Sequence, residues 1–365
     1  MPNSSKIPPN STKAVERIFF VFFYNRDMEV ISRTLAERFS SKEGRILYHI
    51  AKGADMTKLD VKNAAECSMS TVLSAVTALE KAGLVTVRSD KAKSGGKPHS
   101  AINAAQGNAV YGISYKAGVL TGSALGLRGE RLCNHSVRVS DGKVSPHTYV
   151  ERVVDGLLEL SPPPLAIALA MNCNEVEKVG ASLSERLSVP HFLLTNTAAM
   201  AYRRLWETER YPFAVIGVGN RVKCAVLSDA CRVFDAGSLL CPVAATAESG
   251  RYESLLSVSE VERCLRERAY RGHFFLGAPH PAEITSAGEY SRLLALTLAT
   301  LADTAERMLA PCELCLFGEY VTDGFFDRIR AESRRPDSLR LLRSSPADFA
   351  DGAALCALVE GVFSR

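Results

Sequence analysis

Apolar and polar residues between positions 56 and 103 follow first a helical period and then a strand period. Thr57 and Asp60 have the spacing of a capping box, which predicts the start of a short helix. A second helix start at Ser68 is followed by apolar residues at helical spacing down to Gly83. From 84 to 88 the period becomes two, and 100–102 has the pattern of a returning strand. Two helices joined by a tight turn and followed by a hairpin predict a winged helix-turn-helix domain at 41–104.

The second predicted helix has a polar face. Small hydroxyl side chains and one cation recur on it at steps of three and four residues, at Ser70, Ser74, Thr77 and Lys81. Such a surface fits a DNA major groove without steric conflict. The residues predicted to lie beside base edges, including those at the helix start, are Ser68, Met69, Ser70, Thr71, Ser74 and Thr77.

The loop of the predicted hairpin is locally basic. Between Arg88 and Lys97 there are four cations against one acid, Asp90. A basic hairpin beside a recognition helix is placed to contact phosphates or a minor groove. The cations assigned to this role are Lys81, Arg88, Lys91, Lys93 and Lys97. The alternative is an ordinary helical pair with a solvated, lysine-rich hairpin, because a bare helix-turn-helix pattern is a weak signal.

After residue 104 the pattern predicts a mixed α/β domain built from two similar halves. Each half begins with three short strands, at 109–114, 118–127 and 132–139 and again at 213–219, 223–228 and 232–234. Helices and strands alternate after the first set, and a helical region at 257–309 and a buried strand at 313–317 follow the second. Duplicated halves with a cleft between them predict an actin-like, sugar-kinase-like domain at 105–365, with lobes at about 105–210 and 211–365.

The first 40 residues are predicted to be a disordered start followed by a helical extension. The apolar positions at 14–40 have helical spacing and need a partner surface. Two partners remain open: the domain's own first helix at 43–51, or a second copy of the chain.

Composition narrows the class of protein. With 365 residues, 47% of them hydrophobic and 23% charged, the chain has the composition of an ordinary globular protein of two or three domains. The net charge of +4 is too small to indicate a nucleic-acid partner by itself. The evidence from charge for such a partner is therefore limited to the local positive charge at 88–97. Ten scattered cysteines favour reduced thiols packed as small hydrophobic groups, and the lone pair Cys312 and Cys315 is poor evidence for zinc. The seven-residue apolar run at 18–24 is too short to span a membrane, so we expect a cytoplasmic protein.

Seven short segments form a recognisable set: GGKP at 95–98 with Ile102-Asn103, GISYKAG at 112–118, TNTAA at 195–199, IGVGNR at 216–221, RYE at 251–253, LFGE at 316–319 and GAA at 352–354. Through these segments the chain resembles, from residue 41 onward, the ROK family of repressors, open reading frames and kinases. The resemblance implies a DNA-binding module joined to a sugar-kinase-like domain.

The chain departs from the family pattern at the positions of the family's catalytic and phosphate-binding residues. The family's catalytic carboxylate corresponds to Thr197 here, and the carboxylate of its first motif corresponds to Ser114. A threonine hydroxyl does not ionise near neutrality and cannot act as a general base, so we predict no catalytic residue. Lys116-Ala117 and Arg221 replace glycines that would let backbone N–H groups approach phosphates. These side chains either contact charge or fill an unused cleft.

The family's zinc and sugar positions are only partly retained. Ser238 and Cys241 stand where the family has an acid and a histidine, and residues 241–253 contain no second cysteine. One thiol cannot build a four-ligand site, so we predict no structural zinc. We also expect no other cofactor. Asn196 and Glu253 match the family's sugar contacts and are the candidates for binding a sugar-like effector.

These observations predict a DNA-binding transcriptional regulator, a repressor, whose inactive kinase-like domain serves dimerisation and ligand sensing. Its expected partners are double-stranded DNA and further copies of the chain, as a homodimer or a dimer of dimers, with no membrane. The first alternative is an ATP-dependent sugar kinase with an atypical active site. The second is an interaction protein whose DNA-binding module is vestigial.

Overall fold

The computed structural model describes residues 33–89, 100–139, 146–171, 176–211, 213–219, 222–227, 233–235, 244–246, 250–251, 256–270, 289–309 and 313–364. The chain forms two compact units. One comprises 33–211, 229–235 and 343–365, and the other contains 212–228 and 236–342. The domain boundaries at 41 and 105 and the lobe boundary near 210 remain predictions. The C-terminal segment, 343–365, belongs to the same unit as 33–211.

The first unit begins with a helical module. Its elements are β1 (Arg33–Thr34), a 3-10 turn (Leu35–Arg38), α1 (Lys42–Lys52), α2 (Lys58–Ala64), α3 (Met69–Lys81), β2 (Val85–Ser89) and β3 (Ser100–Ala104). We call residues 33–104 the N-terminal module. The helix predicted for 14–40 is wrong at 33–40, where a short strand and a 3-10 turn stand instead. Residues 14–32 lie outside the described residues.

The predicted helix starts are confirmed. Thr57 caps α2, and the Asp60 carboxylate accepts hydrogen bonds from the Thr57 backbone N–H at 2.8 Å and from its hydroxyl at 2.7 Å. Bonds from the Thr57 side chain and backbone lower the pKa of Asp60. Ser68 caps α3, where its hydroxyl accepts the N–H of Thr71 at 3.2 Å. Local capping chemistry therefore sets where both helices begin.

The first sheet has five strands in the order β6-β5-β4-β7-β8. They are β4 (Ala109–Lys116), β5 (Val119–Leu125), β6 (Arg131–Arg138), β7 (Pro164–Ala170) and β8 (His191–Leu194). The predicted three-strand antiparallel start is confirmed, and β7 and β8 continue the sheet in parallel with β4. The connecting helices are α4 (Pro146–Leu160), α5 (Val176–Leu187) and α6 (Asn196–Thr208). After α6, β9 (Arg210–Tyr211) pairs with β1.

The second unit is also a mixed α/β layer. Its strand β10 (Phe213–Val218) pairs antiparallel with β11 (Val222–Leu227) and parallel with a later strand, as in the first sheet. The next strand along the chain, β12 (Val233–Asp235), belongs to the first unit. The elements of the second unit that follow it are β13 (Ala244–Thr246), β14 (Gly250–Arg251), α7 (Val258–Tyr270), α8 (Glu289–Leu309), β15 (Glu313–Gly318), α9 (Asp323–Glu332) and β16 (Leu339–Leu341). The parallel partner of β10 is β15, which also pairs with β16. The predicted α/β class with duplicated halves is confirmed.

The chain ends in a buried helix that returns to the first sheet. This helix, α10 (Pro346–Leu358), continues into a π-helical turn at Val359–Phe363. It packs closely because two glycines lack side chains. A Cβ atom on Gly112 of β4 would overlap the Ala350 carbonyl, and one on Gly352 of α10 would overlap the Ala199 carbonyl.

The described residues bear on the cysteines and on the membrane-spanning length of helices. Cys224, Cys315 and Cys356 are buried, as predicted for cysteines that act as small hydrophobic groups. Cys312 lies outside the described residues. In the part of the chain that the structure describes, no helix is both long and apolar enough to cross a membrane.

Gly112→Ala should destabilise the first unit by about 2 kcal/mol, because the added methyl group meets backbone that cannot rotate away. Gly107→Ala is the matched control, since nothing lies within 4 Å of the Cβ position there. The single tryptophan, Trp206, lies in the same unit and reports its urea-induced unfolding by fluorescence. Equal unfolding midpoints for the two variants would contradict this packing.

Candidate nucleic-acid interface and kinase-like site

Helix α3 is held by a buried apolar stripe. Val72, Ala75, Val76 and Leu79 are buried and face the rest of the N-terminal module. The turn before the helix is tight, because Glu66 adopts a left-handed φ of 49° and the Cys67 N–H donates to the Lys62 carbonyl at 3.2 Å. The predicted tight turn between the two helices is therefore confirmed, although no glycine stands at its left-handed position.

The outer face of α3 is exposed. The prediction that Ser70, Ser74, Thr77 and Lys81 share this face is confirmed by their exposure. Ser68 and Met69 at the helix start are also exposed, whereas Thr71 is half-buried. An apolar residue that the sequence analysis missed, Leu73, lies on the same face and is 43% exposed. Its spacing of four from Met69 and Thr77 was the signal available in the sequence.

Several hydroxyl groups on this face already have partners inside the helix. Ser68 Oγ lies 2.8 Å from Ser70 Oγ and 2.9 Å from Thr71 Oγ1. The Thr77 hydroxyl donates to the backbone carbonyl of Leu73 at 2.9 Å. Serine and threonine commonly make such local bonds, and each bond uses hydrogen-bonding capacity that a base edge would otherwise require.

A two-stranded hairpin follows α3. Strands β2 and β3 pair antiparallel from Val85 opposite Ala104 to Ser89 opposite Ser100. A bridge between Met56 and Ile102 joins the hairpin to the start of α2. Arg88 is exposed on β2. The other predicted phosphate contacts on the hairpin, Lys91, Lys93 and Lys97, lie outside the described residues.

An aromatic cluster fastens the N-terminal module to the rest of the first unit. The ring of Phe39 lies 5.3 Å from that of Tyr48 on α1 and 5.6 Å from that of Phe363 at the chain's end. Trp206 of α6 stacks on Phe363 at 6.1 Å with parallel planes. The sequence left two partners open for the segment before α1. Phe39 of that segment packs against the first of them, helix α1 of its own module. The cluster joins residues far apart in sequence into one core.

Charged groups surround this cluster. The Lys52 ammonium lies 3.8 Å from the centre of the Trp206 ring, 3.0 Å from the Trp206 carbonyl and 2.6 Å from the Glu209 carboxylate. Arg38 pairs with Glu360, which also accepts the Tyr202 hydroxyl at 2.6 Å. Burial by itself lowers the pKa of Arg38, but the charges and hydrogen bonds of Glu360 and Tyr202 together outweigh burial, so the pKa of Arg38 is raised. Burial raises the pKa of Tyr202, which keeps its hydroxyl a donor.

Ser114 lies where the ROK pattern has a carboxylate. It is 1% exposed on β4, and its hydroxyl donates to the Pro346 carbonyl at 3.1 Å. The side chain is therefore bonded to the first residue of α10. A carboxylate cannot make this bond when ionised, because it has no proton to donate.

Thr197 and Asn196 lie in the first turn of α6. Thr195 caps this helix by accepting the N–H of Ala198 at 3.2 Å, and Thr197 is 3% exposed. The Asn196 amide donates to the Tyr115 carbonyl at 3.1 Å. Its side-chain oxygen is buried and has no hydrogen-bond partner among the described residues. A buried amide oxygen in this state can accept a hydrogen bond from a ligand.

The turn between β4 and β5 contains two consecutive residues with left-handed backbone conformations. Ala117 has a φ of 50° and Gly118 one of 75°. The Lys116 ammonium lies 5.9 Å from the centre of the Phe349 ring on α10. A left-handed alanine is strained, because its Cβ atom crowds the following carbonyl oxygen, so this turn holds a conformation that glycine would adopt without that cost.

The remaining candidate residues fall elsewhere. Arg221, Ser238, Cys241 and Glu253 lie outside the described residues, so their roles stay predictions. Within the described residues, no group of three or more histidine, cysteine, aspartate or glutamate side chains is placed to bind a metal ion.

Comparison with solved structures shows the fold. A ROK-family transcriptional regulator, described as a homologue of the Escherichia coli Mlc protein, is 15% identical with a TM-score of 0.70; the match covers 90% of this chain and 98% of that one. A ROK-family protein from Streptococcus pneumoniae in complex with sucrose is 14% identical with a TM-score of 0.56, covering 69% and 98%. A ROK hexokinase from Thermus thermophilus is 16% identical with a TM-score of 0.55, again covering 69% and 98%.

Sequence comparison adds no closer relative. No protein-family model matches the chain, and no curated protein matches it. The structural likenesses therefore define the class: the chain has the actin-like fold of the ROK regulators and sugar kinases.

Ala117→Gly should stabilise the first unit by about 0.5–1 kcal/mol, because glycine adopts a left-handed φ without steric cost. Ala181→Gly is a control with the opposite expected sign. It lies inside α5, where the same change should cost about 1 kcal/mol. Urea unfolding followed by Trp206 fluorescence measures both. A loss of stability in Ala117→Gly would contradict the strain at this turn.

Proposed function

We propose that this chain is a DNA-binding transcriptional regulator of the ROK family, a repressor, and that its N-terminal module is a winged helix-turn-helix. The observation that carries the proposal is the exposed outer face of α3, set by a tight turn and followed by a hairpin with exposed Arg88. The comparisons support it. The regulator matches 90% of this chain and the kinase-like proteins 69%, a difference about the size of the N-terminal module.

In the proposed complex α3 lies in the major groove. Ser68, Met69, Ser70, Thr71, Ser74 and Thr77 then face base edges, and Lys81, Arg88, Lys91, Lys93 and Lys97 contact phosphates. Two copies of the chain related by a two-fold axis would place their recognition helices about 34 Å apart, one turn of the DNA helix. A homodimer, or a dimer of such dimers, would accordingly bind a site with two-fold symmetry.

The kinase-like domain is proposed to be inactive. Thr197 cannot remove a proton from a sugar hydroxyl, and the buried Ser114 hydroxyl is bonded to the Pro346 carbonyl. The competing function is an ATP-dependent sugar kinase with an atypical active site, which the kinase neighbours keep as an alternative.

A sugar-like effector is proposed to bind near Asn196. The buried side-chain oxygen of Asn196 can accept a sugar hydroxyl, and Glu253 is its partner by sequence position. The solved ROK-family protein in complex with sucrose supports a sugar as the ligand class.

Arg88→Ala should weaken binding to any duplex DNA alike and lower the slope of log K against log salt by about one, as expected for the loss of one phosphate contact. Arg138→Ala is the matched control, since Arg138 is an exposed arginine at the end of an edge strand remote in sequence from the N-terminal module. Fluorescence anisotropy with duplexes of random sequence measures both variants. Equal slopes for Arg88→Ala and wild type would remove this arginine from the interface. If wild-type protein bound no duplex even at low salt, the proposed function would fail.

A panel of hexoses and amino sugars, offered with ATP and Mg²⁺, should yield no phosphorylated product in a coupled assay.

Any sugar that binds should do so without turnover. Calorimetry should show that Asn196→Ala binds this sugar at least tenfold more weakly than the wild-type protein, the loss expected for a buried hydrogen bond to a ligand. Turnover that is abolished by changing Ser114 or Thr197 would establish the kinase alternative.

A further inference from the structure

The outer face of α3 carries a second row of side chains beside the polar one. Met69, Leu73 and Thr77 are spaced by four residues and lie along one ridge of the helix, which ends at Lys81. Leu73 is 43% exposed and Met69 is 37% exposed. An apolar strip of two side chains therefore runs along one side of the polar row on the proposed recognition surface.

The hydroxyl groups beside this ridge are largely used within the helix. Thr77 donates to the Leu73 carbonyl, and the Ser70 hydroxyl is shared with that of Ser68. Ser68 also accepts the Thr71 N–H. The chemistry that α3 offers to an outside partner is thus weighted toward apolar contact, with Ser74 and the Lys81 cation beside it.

We infer that Leu73, with Met69 next to it, is a specificity-determining residue that contacts thymine methyl groups in the major groove. This inference rests on the proposed DNA-binding function. Thymine presents the only apolar group among the base edges of the major groove, so an apolar ridge there favours thymine over the other bases. A single exposed leucine needs no partner in general. Leu73 differs because it is exposed midway along the helix that a helix-turn-helix places in the groove, beside the polar row.

The length of the ridge sets how many base pairs it reads. From Met69 to Thr77 the helix rises by about 12 Å, at about 1.5 Å per residue. This length matches three to four base pairs at about 3.4 Å each. The preferred half-site should accordingly contain thymines clustered within three to four consecutive base pairs, on either strand.

The test uses the full chain and begins with selection of preferred duplexes from a random library. Thymines in the selected half-site are then replaced one at a time by uracil, which removes only the methyl group. Wild-type protein should bind each contacted uracil variant about threefold to fourfold more weakly. For Leu73→Ala the ratio of the affinities for the thymine and uracil duplexes should fall to about one at the position that Leu73 contacts. Leu73→Met should keep the wild-type ratio, because an apolar side chain remains. Leu160→Ala, which removes another exposed leucine at the end of α4, should keep every ratio.

Each outcome decides the inference. Selected sites without clustered thymines, or wild-type affinity that does not change with uracil, would overturn it while leaving the DNA-binding function intact. A ratio that persists in folded Leu73→Ala would overturn the role of Leu73 even if thymine methyl groups are read. If Leu73→Ala did not fold, Leu73→Gln would replace it, and an unchanged ratio there would count equally against the inference. If no duplex were bound at all, the proposed function would fail and this inference with it.

Discussion

The first unit depends on close backbone packing by the last twenty residues of the chain. Helix α10 approaches β4 at Gly112 and α6 at Gly352, and the Phe363 carbonyl that follows it lies where a side chain on Gly44 of α1 would stand. At each point a single methyl group would overlap backbone atoms, which cannot move aside as a flexible side chain can. One C-terminal segment thereby touches the sheet, a crossing helix and the first helix of the N-terminal module. The chain's end must be in place for the rest of the unit to keep its geometry.

The same helix accounts for a serine at position 114. The first carbonyl of α10, at Pro346, lies beside the side chain of residue 114 and accepts its proton. Farther along, the Asp351 carboxylate accepts hydrogen bonds from Ser123 and Arg131, which fixes the helix against β5 and β6. A buried carboxylate at position 114 would place its charge against a carbonyl oxygen, at a cost of several kcal/mol on the order expected for an unpaired buried charge. In the described residues, the site is therefore built for packing of α10 rather than for an acid.

Sequence reasoning located the elements whose signals are local. Thr57 and Ser68 set the starts of α2 and α3 through side-chain caps, and alternating apolar residues marked the strands of the first sheet. It missed α10, because a helix buried on nearly every side shows no amphipathic pattern, and small residues such as Ala353 and Gly352 carry little hydrophobic signal. It failed at 33–40 because Leu35 and Phe39 have helical spacing but pack against tertiary partners from a 3-10 turn.

The candidate interface likewise contains features that residue spacing predicts and features that it does not. Exposure of the α3 face followed from helical spacing alone, whereas the direction of the Thr77 hydroxyl depended on a choice between solvent and the Leu73 carbonyl that spacing does not record. The left-handed conformations of Glu66 and Ala117 were not predicted, because neither residue is a glycine and both are exposed, so neither composition nor apolar spacing marks them.

The N-terminal module is joined to the first sheet without a flexible linker. The Asn108 amide donates to the Gly83 carbonyl at 2.7 Å, and Asn103 is bonded to both Asp55 and Arg128. Together with the cluster of Phe39, Tyr48, Trp206 and Phe363, these bonds hold the module to the sheet from two sides. A tethered module could reach half-sites over a range of separations at small entropic cost. A packed module cannot, because each change of separation would break buried aromatic contacts. In the proposed dimer the spacing of the two recognition helices is therefore a property of the folded body, and the preferred distance between half-sites should be narrow.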